Sequence, residues 1–281
     1  MAVFYYGSKP PVKPYIGITG IENATQLDRI LSTYDKNVGN LPHQLMIGAL
    51  VSYKSLARLA EDNRVLVPAQ VEGIFDRLTG MKSHNVFLAL HYFTKPIEKV
   101  DDAYIGKVRD IVEAPLSRQV ALLTNDLYDK YVRVQMPFDF GIQSNVIFPD
   151  VNDFNLIKEF NPRLKVIFQI SDFSRLEEAK NYKSDYFLID ASRGKGVEMD
   201  VDKSVELYKS LNTTGRNIAF AGGISPDNVR ERVGQLYNIL GTTDFSIDAE
   251  SSLKVDNHFD LDKVDKYIVE ATSAFKKLGN K

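Results

Sequence analysis

The stretch Ile218-Ala-Phe-Ala-Gly-Gly-Ile-Ser-Pro-Asp-Asn-Val229 joins a short apolar strand to the start of a helix. Ser225 and Pro226 are an N-cap residue and a first-turn proline, which predicts a helix that begins at this point. The same order, strand and then helix, repeats through the second half of the chain at spacings of roughly 20 to 35 residues. This alternation is typical of parallel βαβ units.

Seven more apolar runs have the length and composition of strands. Most are almost continuously apolar, as expected where helices cover a parallel sheet. Eight such strands predict an α/β fold of the closed (β/α)8 barrel type, the TIM barrel. A doubly wound open sheet is the alternative, but its glycine fingerprint after the first strand is absent. The predicted strands are 15–19, 45–52, 86–93, 145–148, 164–170, 186–190, 218–221 and 244–248.

Helices and insertions are harder to place, above all in the first half. Ser174, followed by Glu177, forms a capping-box pattern. The segment 101–140 is too long for one helix and could hold an extra strand at 132–136. We expect one domain over residues 1–281, with possible insertions at 53–83 and 101–140. Periodicity or capping predicts helices over 27–34, 174–182 and 204–211, and from residue 261 onward.

Composition excludes several classes of function. The chain of 281 residues has a net charge of −2 and no cysteine, which excludes disulfides, thiolate metal sites and a cysteine nucleophile. Nothing in the bulk charge favours nucleic acid, and no apolar run approaches the ~20 residues of a membrane span. We expect a cytoplasmic monomer or homodimer that binds a small molecule, without nucleic acid or membrane partners.

Two loops have the features of a phosphate site. Gly222 and Gly223 end the seventh strand, and Ser251 and Ser252 follow the eighth. Glycines let backbone amides approach an anion, and in this fold the loops after strands seven and eight often bind phosphate. The alternative is a tight turn with glycines for steric reasons only. Glu250 counts against phosphate if it points inward.

Two aspartates end strands whose side-chain parity points them into the barrel mouth. Asp190 ends the sixth strand, where a carboxylate can act as a general acid. Its alternative role is a structural ion pair with Arg193 or Lys195. Asp248 ends the eighth strand and could orient a sugar hydroxyl or cap the loop that follows.

Other candidates are weaker. The four histidines have no metal-ligand spacing, and His91 is the best placed of them. Lys54 and Lys195 lie at the mouth end of the barrel and could form a Schiff base, although both are predicted in loops. Lys165 lies at the opposite end.

Four motifs resemble the phosphoribosylanthranilate isomerase family of the tryptophan pathway. The resemblance covers residues 164–270 well and 14–35 weakly. The motifs are Ala219-Phe-Ala-Gly-Gly-Ile-Ser-Pro-Asp-Asn-Val229, Ser246-Ile-Asp-Ala-Glu-Ser-Ser252, Leu188-Ile-Asp-Ala-Ser-Arg-Gly-Lys-Gly196 and Tyr15-Ile-Gly-Ile-Thr19.

The resemblance implies an Amadori rearrangement of an aminoaldose phosphate, with neither metal nor organic cofactor. It implies that Asp190 is the general acid and that Asp248 matches the strand-eight aspartate. It further implies that the phosphate is held after strands seven and eight, at Gly222, Gly223, Ser251 and Ser252.

The chain also departs from the family. The family's base is a strand-one cysteine, and the matching position here is Ile16. The arginine that follows strand two has only Lys54 and Arg58 as candidates, and His91 and Lys195 are further possible substrate contacts. A replacement base could be Thr19, Glu22, His91 or Asp248.

Three hypotheses follow. The first is a phosphosugar isomerase with an altered base or substrate. The second is a barrel that binds a phosphorylated ligand without turnover. The third is a Schiff-base aldolase that uses Lys54 or Lys195.

Overall fold

Eight parallel strands close into a barrel in which each strand pairs with the next one along the chain and β8 pairs with β1. The computed structural model describes residues 12–59, 65–81, 85–134, 136–145, 148–171, 173–190 and 199–279, without the side chains of 131–134. The closed ring of eight parallel strands confirms the predicted (β/α)8 barrel. The strands are β1 (Tyr15–Thr19), β2 (Gln44–Ser52), β3 (Val86–Phe93), β4 (Asp139–Ser144), β5 (Lys165–Ile170), β6 (Tyr186–Asp190), β7 (Asn217–Ala221) and β8 (Ser246–Ala249).

Helices follow the strands around the barrel, and a hairpin of β9 (Lys254–Val255) and β10 (His258–Phe259) precedes the last one. None of the helices in the described ranges has the length and apolarity to cross a membrane. The helices are α1 (Leu27–Val38), α2 (Tyr53–Leu56), α3 (Pro68–Gly80), α4 (Asp102–Val112), α5 (Leu116–Val134), α6 (Val151–Phe160), α7 (Leu176–Ala179), α8 (Val201–Asn212), α9 (Val229–Leu240) and α10 (Leu261–Gly279).

Strand side chains alternate between two apolar layers. The larger layer lies between strands and helices and includes Ile16 and Ile18 of β1. The smaller layer fills the lower barrel, where Tyr15 packs edge-on against Tyr186 and Phe87 at centroid distances of 5.1 and 6.0 Å. These rings occupy the bottom of the barrel, so the inner positions left for polar side chains lie at the carboxyl ends of the strands.

The prediction for the fourth strand is wrong. β4 ends at Ser144, before the predicted segment 145–148 begins. Phe148 has a φ of 42°, which a strand residue does not adopt. The true strand contains Gly141, whose Cβ would lie 2.4 Å from the carbonyl oxygen of Lys165. Because glycine is depleted in strands, Gly141 weakened the strand pattern of β4 in the sequence, although the close approach of β5 requires a glycine there.

Other boundaries also differ. Residues 132–134, predicted as part of an extra strand, end α5, because tertiary packing overrides the strand propensity of a β-branched run. The predicted helix at 174–182 is a 3-10 turn followed by the four residues of α7. A turn separates Ser225 from α9, which begins at Val229.

Candidate functional site

One row of hydrogen bonds crosses the mouth from β4 to β6. The Nε2 of Gln143 donates to the Oε1 of Gln169 at 3.1 Å, and the Nε2 of Gln169 donates to Asp190 Oδ2 at 2.8 Å. All three side chains are at least nine-tenths buried. The row fixes the Asp190 carboxylate in position at the end of β6.

A second row joins β3, β1 and β8 on the other side of the mouth. The hydroxyl of Thr19 donates to Asp248 Oδ1 at 3.0 Å and lies 3.4 Å from the Nε2 of His91. Two glycines leave room for this row. A Cβ on Gly48 would lie 2.4 Å from the Thr19 hydroxyl, and one on Gly17 would lie 2.6 Å from Asp248 Oδ1. Side chains at either position would displace the row.

Burial shifts the proton affinities of this second row. The pKa of Asp248 is raised to about 8: burial is the largest cause, the hydrogen bond from Thr19 opposes it, and the charges of Glu250 and Asp190 add to it. Burial also lowers the pKa of His91 to about 3, with a contribution from the nearby ammonium of Lys254. At neutral pH the aspartate therefore holds a proton for most of the time and the imidazole is neutral.

The loop after β7 has a backbone conformation that depends on its two glycines. Gly222 and Gly223 have φ values of 98° and 66°, which L side chains rarely adopt. The Asn228 side chain holds the loop in shape, because it donates to the Gly223 carbonyl at 2.9 Å and accepts from the Ser225 amide at 2.8 Å.

The two serines of the loop after β8 have different contacts. Ser252 donates its hydroxyl to the carbonyl of Ile224 at 2.6 Å and so ties the β8 loop to the β7 loop. Ser251 is exposed and lines the cleft. Within the described part of the chain, the structure gives no acceptor for the backbone amides of Gly223, Ser251 and Ser252. The loop pair can therefore offer amides to an anion, but the Ser252 side chain is already engaged.

Lys254 is a residue that the sequence argument missed. Its Cε would be 2.8 Å from a Cβ on Gly20, and its ammonium pairs with Glu250 at 2.9 Å. The side chain is only 11% exposed. The ion pair balances the carboxylate that was expected to repel a phosphate. No motif marks Lys254, because the hairpin that follows β8 directs it over the mouth.

One cleft is lined by the two aspartates and by the predicted anion loops, that is, the loops after β7 and β8. Its lining includes Asp190, Asp248, Gly222, Gly223 and Ser251, together with Gln143 and Gln169, which the sequence argument also missed. Their inward parity at the ends of β4 and β5 was the available signal, but the misplaced fourth strand left Gln143 outside any strand.

The weaker predicted contacts lie elsewhere. Lys54 stacks its ammonium over the Tyr104 ring at 4.3 Å, and Arg58 is exposed on the turn after α2. Neither residue lines the cleft, and nor does His91. Lys195 lies outside the described residues, as does the rest of the glycine-rich loop after β6.

Ile16 on β1 and Glu22 after it are relevant to the general base, because the chain lacks the strand-one cysteine of the family. Ile16 is fully buried in the layer between strands and helices, on the opposite face of β1 from Gly17 and Thr19. Glu22 accepts from the Phe259 amide at 3.0 Å and lies 3.4 Å from His258. Glu22 thus anchors the hairpin. In the described ranges no three His, Asp or Glu side chains are arranged to hold a metal ion.

Residues 151–269 match the family model described as N-(5'phosphoribosyl)anthranilate (PRA) isomerase. The part of the chain from β5 to β8 is therefore similar to that isomerase family. The matched region runs from α6 into α10 and contains β5 to β8, so it holds the aspartates and both anion loops of the cleft. No curated protein matches the chain by sequence.

Several solved structures share the barrel fold of this chain. The phosphoribosyl anthranilate isomerase from Thermotoga maritima aligns with a TM-score of 0.56 at 18% identity, over 92% of this chain and 99% of that one. The Thermus thermophilus enzyme gives 0.54 at 15%, over 92% and 98%. TrpF from Jonesia denitrificans gives 0.53 at 16%, over 93% and 98%.

Proposed function

We propose that this isomerase-like barrel catalyses the Amadori rearrangement of an aminoaldose phosphate to an aminoketose. The observation that carries the proposal is the joint lining of one cleft by Asp190, Asp248 and the two anion loops. An intramolecular aldose–ketose isomerisation needs an acid at the ring oxygen, a base at C2 and an anchor for the phosphate. The cleft offers a group for each.

Asp190 is the general acid of the proposal, as the family resemblance implies, and Asp248 is the base. The four base candidates differ in their surroundings. Glu22 anchors the hairpin, the Thr19 hydroxyl donates to Asp248, and the pKa of His91 is lowered to about 3. Asp248 lines the cleft and has a pKa of about 8. A base is most effective when its pKa lies near the working pH.

The phosphate anchor of the proposal is the pair of loops after β7 and β8. The amides of Gly223, Ser251 and Ser252 are the expected donors, since preorganised backbone amides bind anions in such concave loops. The Lys254–Glu250 ion pair lies at the β1 side of the same mouth and keeps the glutamate charge balanced.

The test is an isomerase assay with freshly generated phosphoribosylanthranilate, followed by the loss of anthranilate fluorescence across pH. If Asp248 is the base, kcat/KM rises with pH up to about 8, because only the ionised carboxylate takes a proton. A fall in kcat/KM over the same range would make Asp248 the acid instead. Absence of turnover at every pH, in folded protein, would reject this substrate.

A barrel that binds a phosphorylated ligand without turnover is the second candidate. The direction in which β1 points its side chains favours it. The family's base position, Ile16, is turned away from the mouth. Such a protein should be stabilised by ribose 5-phosphate in a thermal-shift experiment, without product. No stabilisation by any sugar phosphate would reject both candidates.

A further inference from the structure

The row from β4 to β6 ends in a buried polar atom that has no partner within the described ranges of the chain. Gln143 Oε1 is a buried oxygen that has no hydrogen-bond partner among the residues that the structure describes, and the Gln143 side chain lines the cleft. A buried polar atom left without a partner destabilises the folded state. An empty acceptor at the wall of a cleft is a position where a ligand donor would be stabilised.

The polarity of the row follows from chemistry at its β6 end. Asp190 Oδ2 accepts a hydrogen bond there from the Gln169 amide, which turns its Nε2 toward it, at 2.8 Å. The Gln169 oxygen then faces Gln143, which must donate through its own Nε2, at 3.1 Å. The oxygen of Gln143 is therefore the end of the row.

We infer that Gln143 is a specificity-determining residue that accepts a hydrogen bond from a hydroxyl of the ligand. This inference rests on the proposed function and narrows its substrate to a sugar phosphate with a free ring hydroxyl opposite β4. A group that can only accept, such as an ether or a carbonyl oxygen, faces the lone pairs of Gln143 and is disfavoured. A site built to pair with a hydroxyl strongly rejects analogues that lack it.

The distribution of groups in the cleft supports this role. The anion loops lie on β7 and β8, while Gln143 lies on β4, on the far side of Asp190. A phosphate held by Gly223 and Ser251 would direct the sugar across the mouth toward the β4 side. The hydroxyl contact and the proposed acid are then linked through Gln169, so that the same row positions both.

The test measures the dissociation constants of inorganic phosphate, ribose 5-phosphate and its 2-deoxy and 3-deoxy analogues by calorimetry. Wild-type protein should bind one deoxy analogue about tenfold more weakly than ribose 5-phosphate. In Gln143→Met, which has a similar volume but no acceptor, that difference should vanish while inorganic phosphate binds as before. Gln143→Ala repeats the measurement should the methionine variant fail to fold.

Equal binding of the three sugar phosphates to wild-type protein would overturn the inference, as would a deoxy penalty that persists in Gln143→Met. Either result would leave the phosphate site intact, provided inorganic phosphate binds. Wild-type protein that binds none of the four compounds would instead reject the proposed function, and the role of Gln143 with it.

Discussion

The two halves of the barrel differ in how they contribute to the cleft. From β5 to β8, the chain matches the isomerase family model and supplies Asp190, Asp248 and both anion loops. The strands from β1 to β4 lie outside the matched residues, and the cleft takes Gln143 and Asn145 from this half. Lys54, Arg58 and Ile16, the positions that the resemblance singled out in this half, do not line the cleft.

Under the proposed function, the phosphate anchor lies in the half that matches the family model, whereas the family's base position, Ile16, lies in the other half. A phosphate is the same anion in every sugar phosphate, so its loops can stay constant. The rest of the ligand differs between sugar phosphates, and under the proposed function it lies toward the first half. The following predictions test whether the division is real.

Asp248→Asn should have the largest effect on turnover. The amide cannot take a proton, so kcat/KM should fall by about 10²–10⁴, the usual contribution of a general base. Asn is nearly isosteric with the buried Asp, so folding should be retained. Asp139→Asn, at the opposite end of the barrel, is the control. Activity within tenfold of wild type would move the base to the β1–β4 half.

Gly223→Ala should weaken phosphate binding by about tenfold or more, because alanine is strained at a φ of 66° and the loop must change shape. Gly215→Ala is a matched control: its φ is 70°, and a Cβ there meets nothing within 4 Å. Both variants should lose stability by about 1–3 kcal/mol. Calorimetry with inorganic phosphate should separate them, and equal affinities would rule out the β7 loop as the anchor.

The pH dependence of the free energy of unfolding should reflect the raised pKa of Asp248. Its folded pKa of about 8 lies above the ordinary 3.8, so between these values the folded state binds a proton that the unfolded state has lost. The free energy of unfolding should therefore fall as pH rises from about 4 to 8, by at most about 1.4 kcal/mol per unit. Urea denaturation of wild type and Asp248→Asn should diverge over this range. Parallel curves would contradict the buried, protonated state.

Ile16→Cys should leave activity unchanged, which is the smallest effect of the four variants and conditions considered. The side chain lies between strands and helices, so a thiol there does not reach the mouth. It should resist a thiol reagent in folded protein, whereas Ser251→Cys, in the cleft, should react. Restored or increased turnover in Ile16→Cys would mean that β1 turns its other face to the substrate.

The sequence predicted the parts of the site that belong to strong local patterns. The paired glycines after β7 and the aspartates that end β6 and β8 were found from strand parity and turn chemistry. Gln143 was missed because Gly141 interrupts the β4 pattern, and Lys254 because a hairpin sets its direction. The raised pKa of Asp248 depends on burial among residues distant in sequence, which no local pattern records.

The most direct test of the account is the isomerase assay with phosphoribosylanthranilate on wild-type protein and Asp190→Asn side by side, with folding of both checked by circular dichroism. The account predicts turnover by the wild type that is lost in the variant, because the amide cannot protonate the ring oxygen. Turnover that survives in Asp190→Asn would contradict the assignment of the cleft.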